Sequence, residues 1–262
     1  IIIALARPQS TLNWQDVTSE GIDIVISMDI SGSMLAEDLK PNRLEAAKNV
    51  AIEFINGRPN DRIGLVIFSG ESFTQVPLTT DHSVLKNLFK DVTNGMIEDG
   101  TAIGMGLATA VNRLRESDAK SRVVILLTDG FNTQGSIPPL TAAEIAREFG
   151  VRVYTIGVGT LGKAPYPFKT SFGTTAYQNV EVKIDEPTMK EIAKMTGGKY
   201  FRATNNRSLA AVYEEIDQLE KSKIEVTEYR RKKEEFFPFA LIAGILLLME
   251  FILKHTFYRT IN

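Results

Sequence analysis

Five consecutive residues, Val123-Val124-Ile125-Leu126-Leu127, carry no polar side chain. Side chains of a strand alternate between the two faces of its sheet, so an all-apolar run this short fits a central strand covered on both faces. The rest of the chain repeats the pattern in a milder form. Ile22–Met28, Ile63–Phe68, Val151–Ile156 and Tyr200–Arg202 read as further strands, with a short partner strand around Ser72–Val76. Between them lie stretches of helical period. In the first, Pro41 suits the opening turn, and Leu44, Ala47, Val50, Ala51, Phe54 and Ile55 supply one apolar face. Others follow at Ser83–Lys90, Ile103–Arg115, Thr141–Phe149, Pro187–Thr196 (ended by Gly197-Gly198) and Leu209–Leu219.

Alternating strands and helices predict an α/β fold: a Rossmann-like, doubly wound, mostly parallel sheet. One segment breaks the rhythm. Thr160–Ile184 carries Pro165, Pro167 and Gly173 and ends in the alternating Val180–Ile184, so it reads as an inserted hairpin. Its aromatic residues, Tyr166, Phe168, Phe172 and Tyr177, are expected to pack it on the sheet.

In sheets of this kind, ligands bind beyond the carboxyl ends of the strands. The first strand runs into Asp29-Ile30-Ser31-Gly32-Ser33, and the central strand ends in Thr128-Asp129-Gly130. Between them, Asp99-Gly100-Thr101 opens the helix at Ile103. Two carboxylates (Asp29 and Asp129) and three hydroxyls (Ser31, Ser33 and Thr101) at one edge suit a hard divalent cation, Mg²⁺ first, with Mn²⁺ or Ca²⁺ as alternatives. Composition agrees. The 262 residues include no cysteine and two histidines, His82 and His255, so a metal must be held through oxygen. A net charge of −2 provides no basic field for nucleic acid.

Competing enzymatic readings lack parts. Gly157-Val158-Gly159-Thr160-Leu161-Gly162 is a literal G-x-G-x-x-G after a strand, but Lys163-Ala164-Pro165-Tyr166-Pro167 follows where a helix is required. A Mg²⁺-dependent phosphatase with its aspartate after the first strand needs a second acid two residues on, where Ser31 stands. No P-loop is present, and neither histidine belongs to a loop near the candidate serines.

The three loops, DISGS, DGT and LLTDG in this order, resemble the metal-ion-dependent adhesion site (MIDAS) of von Willebrand factor A (VWA) domains, over roughly Gly21 to Leu219. The resemblance implies Ser31, Ser33 and Thr101 as direct ligands, with Asp29 and Asp129 binding directly or through water. It also implies a non-catalytic module whose cation accepts an aspartate or glutamate from a protein partner. ALARPQ, SMLAEDLKPNRLEAAK and TGGKYFRA further resemble the bacterial aerotolerance (Bat) membrane proteins, BatA type. That likeness implies a complex with other Bat proteins, linked to a MoxR-type AAA+ ATPase, in envelope stress tolerance.

Phe236–Leu253 has the length and apolarity of a membrane span, with Glu250 as its one charge. The expected layout is the end of a preceding transmembrane helix over 1–8, a linker over 9–20 and the VWA domain over 21–219. A charged linker over 220–235, a transmembrane helix over 236–254 and a short tail over 255–262 complete it. Arg230–Lys233 would favour a cytoplasmic domain under the positive-inside rule. The Bat likeness implies the bacterial inner membrane with the domain on its periplasmic face, and that placement is the expectation adopted.

Overall fold

The computed structural model describes residues 9–11, 21–170, 174–221, 232–234 and 236–256. Its strands are β1 (Gln9–Thr11), β2 (Asp23–Asp29), β3 (Arg62–Phe68), β4 (Ser72–Thr79), β5 (Arg122–Thr128), β6 (Arg152–Val158), β7 (Lys163–Lys169), β8 (Thr175–Glu181), β9 (Tyr200–Ala203) and β10 (Lys232–Glu234). Its helices are α1 (Arg43–Asn56), α2 (His82–Asp91), α3 (Ile103–Leu114), α4 (Pro139–Glu148), α5 (Glu186–Met195), α6 (Asn206–Lys221) and α7 (Phe236–Thr256). Residues 19–224 form one compact unit; residues 1–18 with 225–262 form a second.

In the first unit a six-stranded sheet runs in the order β4-β3-β2-β5-β6-β9. All neighbours are parallel except β4, which pairs antiparallel with β3 at the edge. The apolar run in β5 behaves as its composition demands. Val123, Ile125 and Leu127 join the core beneath α1, α2 and α6, while Val124 and Leu126 join the core beneath α3, α4 and α5. Both faces are therefore closed by helices, and each fully buried aliphatic side chain contributes about 1.5–3 kcal/mol.

Two expectations are corrected. Pro41 lies outside the first helix: Asn42 is the N-cap, its side-chain oxygen accepting the Glu45 amide at 2.8 Å, and α1 begins at Arg43. An asparagine carbonyl satisfies a free first-turn amide, which sets the boundary one residue after Pro41. The second concerns the inserted hairpin, whose aromatic residues do not all pack on the large sheet. β7 and β8 form a separate two-stranded sheet, seated on the turn that follows β2, where the Glu37 amide donates to the Pro165 carbonyl at 2.9 Å. Tyr177 donates to Glu37 at 3.1 Å. Phe168 and Tyr177 remain exposed, because alternate residues of a free two-stranded ribbon have no second layer to cover them.

In the second unit β1 pairs antiparallel with β10. The expected helical tail over 1–8 lies outside the described residues. α7 covers the apolar run, and its described large apolar side chains, from Leu241 to Leu253, are exposed. Among the described residues, no helix is long and apolar enough to cross a membrane.

Candidate metal centre

β2 and β5 are parallel neighbours in register, Met28 beside Leu127, so both strands deliver their following residues to the same edge. That registry brings Asp29 and Asp129 together from positions a hundred residues apart. Each carboxylate is buried. Asp29 Oδ1 accepts the Ser31 amide at 2.9 Å, an Asx-type turn that redirects the chain, and Asp29 Oδ2 accepts the Thr128 hydroxyl at 2.6 Å. The backbone then tightens into a 3₁₀ turn over Gly32–Leu35, which carries the Ser33 side chain back towards the sheet. Ser31 Oγ and Ser33 Oγ lie 3.1 Å apart, and Ser33 donates to Asp129 Oδ1 at 2.6 Å.

Thr101 arrives from the third loop. Its backbone is clamped by Thr133, which accepts from the Thr101 amide at 3.1 Å and donates its own amide to the Thr101 carbonyl at 2.8 Å. The residue is 7% exposed. Its hydroxyl lies 3.7 Å from the point a Cβ on Gly130 would occupy, beside the loop that carries Asp129. The structure thus brings all five candidate residues to one sheet edge.

Burial first, then the charge of Asp129, push the Asp29 carboxyl up to about 7, against the hydrogen bonds it accepts from Ser31 and Thr128. Burial also raises Asp129, opposed chiefly by the charge of Arg43. Two buried carboxylates at close quarters, with the hydroxyls of Ser31, Ser33 and Thr101 beside them, form an oxygen donor set that a divalent cation would satisfy. Among the described residues no three histidine, aspartate or glutamate side chains cluster as a metal site by themselves. The remaining donors here are hydroxyls, and the group fits an oxygen-ligating ion on that basis.

Three neighbours escaped the sequence reading. Asp99 accepts the Gly32 amide at 2.8 Å. A Cβ on Gly32 would sit 3.2 Å from Asp99 Oδ2 and 3.4 Å from the Tyr166 hydroxyl, so these two side chains flank the loop closely. Tyr166 comes from β7 and its phenol is raised by burial and by the charges of Asp99 and Asp129. Arg43, 3% exposed, donates to Asp129 Oδ2 at 2.7 Å. Asp99 stands inside the DGT loop and could have been weighed as a neighbour of Ser31–Ser33. Nothing local marks Arg43 as buried.

The glycine-rich decoy is resolved by its surroundings. β6 ends at Val158 and β7 begins at Lys163, so a strand, with no helix N-terminus, follows Gly157–Gly162. His82 sits at the opposite edge, its Nε2 on the Asp61 carbonyl at 2.9 Å where β3 begins, so this histidine does not serve the candidate serines.

The sequence pattern of the von Willebrand factor type A domain matches residues 23–215. The chain belongs to this family. Among solved VWA structures it is similar to BatB from Bacteroides thetaiotaomicron, with 34% identity and a TM-score of 0.68 over 77% of this chain and 100% of that one. It is similar also to an aerotolerance-related membrane protein from Bacteroides fragilis, with 31% identity and a TM-score of 0.64 over 76% and 98% of the two chains. The protein is therefore a Bat-family VWA protein. Fold likeness alone extends to proximal thread matrix protein 1 of the mussel byssus, a structure with a zinc-occupied MIDAS motif (24% identity, TM-score 0.59, 76% of this chain and 46% of that one).

Proposed function

We propose that this VWA domain is a metal-dependent protein-binding module of BatA type, and that it performs no chemistry of its own. Ser31, Ser33 and Thr101 would hold Mg²⁺ or a similar cation, with Asp29 and Asp129 behind them. The observation that carries the reading is the junction of two buried carboxylates through Ser31 and Ser33, with the Thr101 hydroxyl beside the loop that holds Asp129. When bound, the cation supplies a positive charge only partly neutralised by its mainly uncharged donors, and so attracts an acidic side chain from a partner. The chain's own residues do the positioning. Thr128 and the Ser31 amide fix Asp29, Asp129 accepts a hydrogen bond from the Ser33 hydroxyl and so orients that oxygen, and Asp99 and Tyr166 line the approach.

The partners proposed are other Bat-family membrane proteins and a MoxR-type ATPase, with a role in envelope stress tolerance. The B. fragilis relative's description as a membrane protein supports association with the inner membrane, and we place the domain on its periplasmic face. Protease access in spheroplasts tests the sidedness.

The central test is affinity capture from native membranes in Mg²⁺ and in EDTA, with wild type and Asp29→Ala. Capture of Bat proteins that requires both Mg²⁺ and Asp29 is the expected result. Mg²⁺-dependent phosphate release by the purified protein, lost in Asp29→Ala, would overturn the binding-only reading.

A further inference from the structure

We infer that Arg43 is a positioning residue of the candidate centre: by holding Asp129 in a single orientation, it keeps a coordination position open for the acidic ligand. The inference rests on the metal-binding reading above and adds a residue that this reading does not use.

Arg43 is the first residue of α1, and its guanidinium is almost wholly buried. Nε donates to Asp38 Oδ1 and Nη2 to Asp38 Oδ2, each at 2.7 Å, a fork that fixes the guanidinium plane. The remaining Nη1 then points at Asp129 Oδ2, also at 2.7 Å. Asp38 is itself anchored, because the Thr160 amide donates to its Oδ2 at 2.7 Å. Burial pushes the Asp38 carboxyl up, but the hydrogen bonds from Arg43 and Thr160 and the charge of Arg43 together bring it below its ordinary value. The loop that supplies Thr160 is held from the other side by Arg202, whose Nη2 donates to the Thr160 carbonyl at 2.8 Å and whose Nε donates to the Gly159 carbonyl at 3.0 Å.

Gly159 explains how a whole guanidinium fits here. Its φ is +140°, and a Cβ at this position would stand 2.8 Å from Arg43 Nη2. The glycine is required by the arginine, not by a phosphate.

The consequence falls on Asp129. Arg43 takes one of its oxygens and the Ser33 hydroxyl takes the other, at 2.6 Å. So held, the carboxylate cannot swing round to present both oxygens to a cation. It acts through Ser33 instead, and the ligand shell stays short of one donor. Without Arg43, Asp129 would be free to chelate, adding charge and closing the position that an external carboxylate would take.

The test uses the full chain in detergent, with Mn²⁺ as the metal and acetate as the carboxylate. Free Mn²⁺ is followed by electron paramagnetic resonance, with and without excess acetate. In wild type, acetate tightens Mn²⁺ binding. In Arg43→Met, Mn²⁺ alone binds more tightly, and the acetate effect disappears. Where Arg43→Met does not fold, Arg43→Lys, which keeps the charge and loses the fork, carries the same test. Asp38→Asn, which loosens the fork from behind, shifts both readings in the same direction. Variants that lower Mn²⁺ affinity in step with thermal stability, or leave the acetate effect intact, would overturn the inference. A wild-type protein that binds no Mn²⁺ overturns the metal-binding reading itself, and the two failures are thereby distinct.

Discussion

Replacing Asp29 by asparagine separates the electrostatic strain of the centre from its binding role. The carboxyl rises from an ordinary 3.8 to about 7, through burial first and the charge of Asp129 second. In the unfolded chain it titrates at its ordinary value. Between roughly pH 4 and pH 7, therefore, the folded chain holds a proton that the unfolded chain has released, and stability falls as pH rises through that window. Above pH 7 the penalty is complete: about three units at about 1.4 kcal/mol each gives about 4 kcal/mol. The carboxyls of Asp38, Glu186 and Glu220 are lowered, so their contributions are lost only as pH falls below the ordinary carboxylate range. Asparagine carries no charge, and its oxygen can still accept the Ser31 amide. In EDTA, Asp29→Asn is expected to be more stable than wild type by a few kcal/mol on the alkaline side of the window, with a shallower slope across it, because the raised Asp129 carboxyl remains. Mg²⁺ should then stabilise wild type and leave the variant unchanged. Urea unfolding of the detergent-solubilised chain, followed by circular dichroism at several pH values in EDTA and in Mg²⁺, reads all of these effects. A wild-type stability in EDTA that rises with pH across the window, or a variant less stable than wild type above it, would refute the reasoning.

Thr101→Ala removes one of the three candidate hydroxyl donors, and Mn²⁺ affinity, titrated by calorimetry, should fall at least severalfold. Leu126→Ala empties part of the core beneath α3, α4 and α5, where the side chain is fully buried, and should cost about 2–5 kcal/mol in urea unfolding. Glu220→Gln weakens a buried clamp in which Tyr154 and Arg152 each donate at 2.5 Å and Ser121 at 2.8 Å. It should cost about 2–3 kcal/mol, with faster amide exchange along α6 as the local reading.

The fold was legible where side-chain periodicity decides it. Val123–Leu127 could be apolar throughout only between two helical layers, and its alternate members do divide between the two cores. The loops of the centre were legible for a related reason: in a parallel sheet every strand's carboxyl end lies on one edge, so Asp29 and Asp129 had to approach each other. Arg43 was not legible. An arginine opening an amphipathic helix reads as a solvated residue, and only the close pass of Gly159 and the facing Asp38 make a buried site for it. The hairpin shows the same limit. Its alternation marked the strands, but nothing in the residues said whether its aromatic side chains would find a second layer, and Tyr177 instead reaches Glu37 on the turn after β2.

The connection leaving β6 decides which ligands this scaffold can hold. In a dinucleotide-binding sheet, a glycine-rich turn leads into a helix whose free amides receive the pyrophosphate. Here the turn leads into β7, and its polar groups are already committed: the Thr160 amide to Asp38, the Gly159 and Thr160 carbonyls to Arg202. The amide that would face a phosphate instead holds an aspartate, and the arginine on that aspartate holds Asp129. The hairpin that replaces the helix brings Tyr166 to the rim of the centre, beside Gly32 and Asp99. Replacing one connection thus removes the anion cradle, stiffens the donors of the candidate cation site and adds an aromatic wall beside it. A protein side chain can approach across that wall.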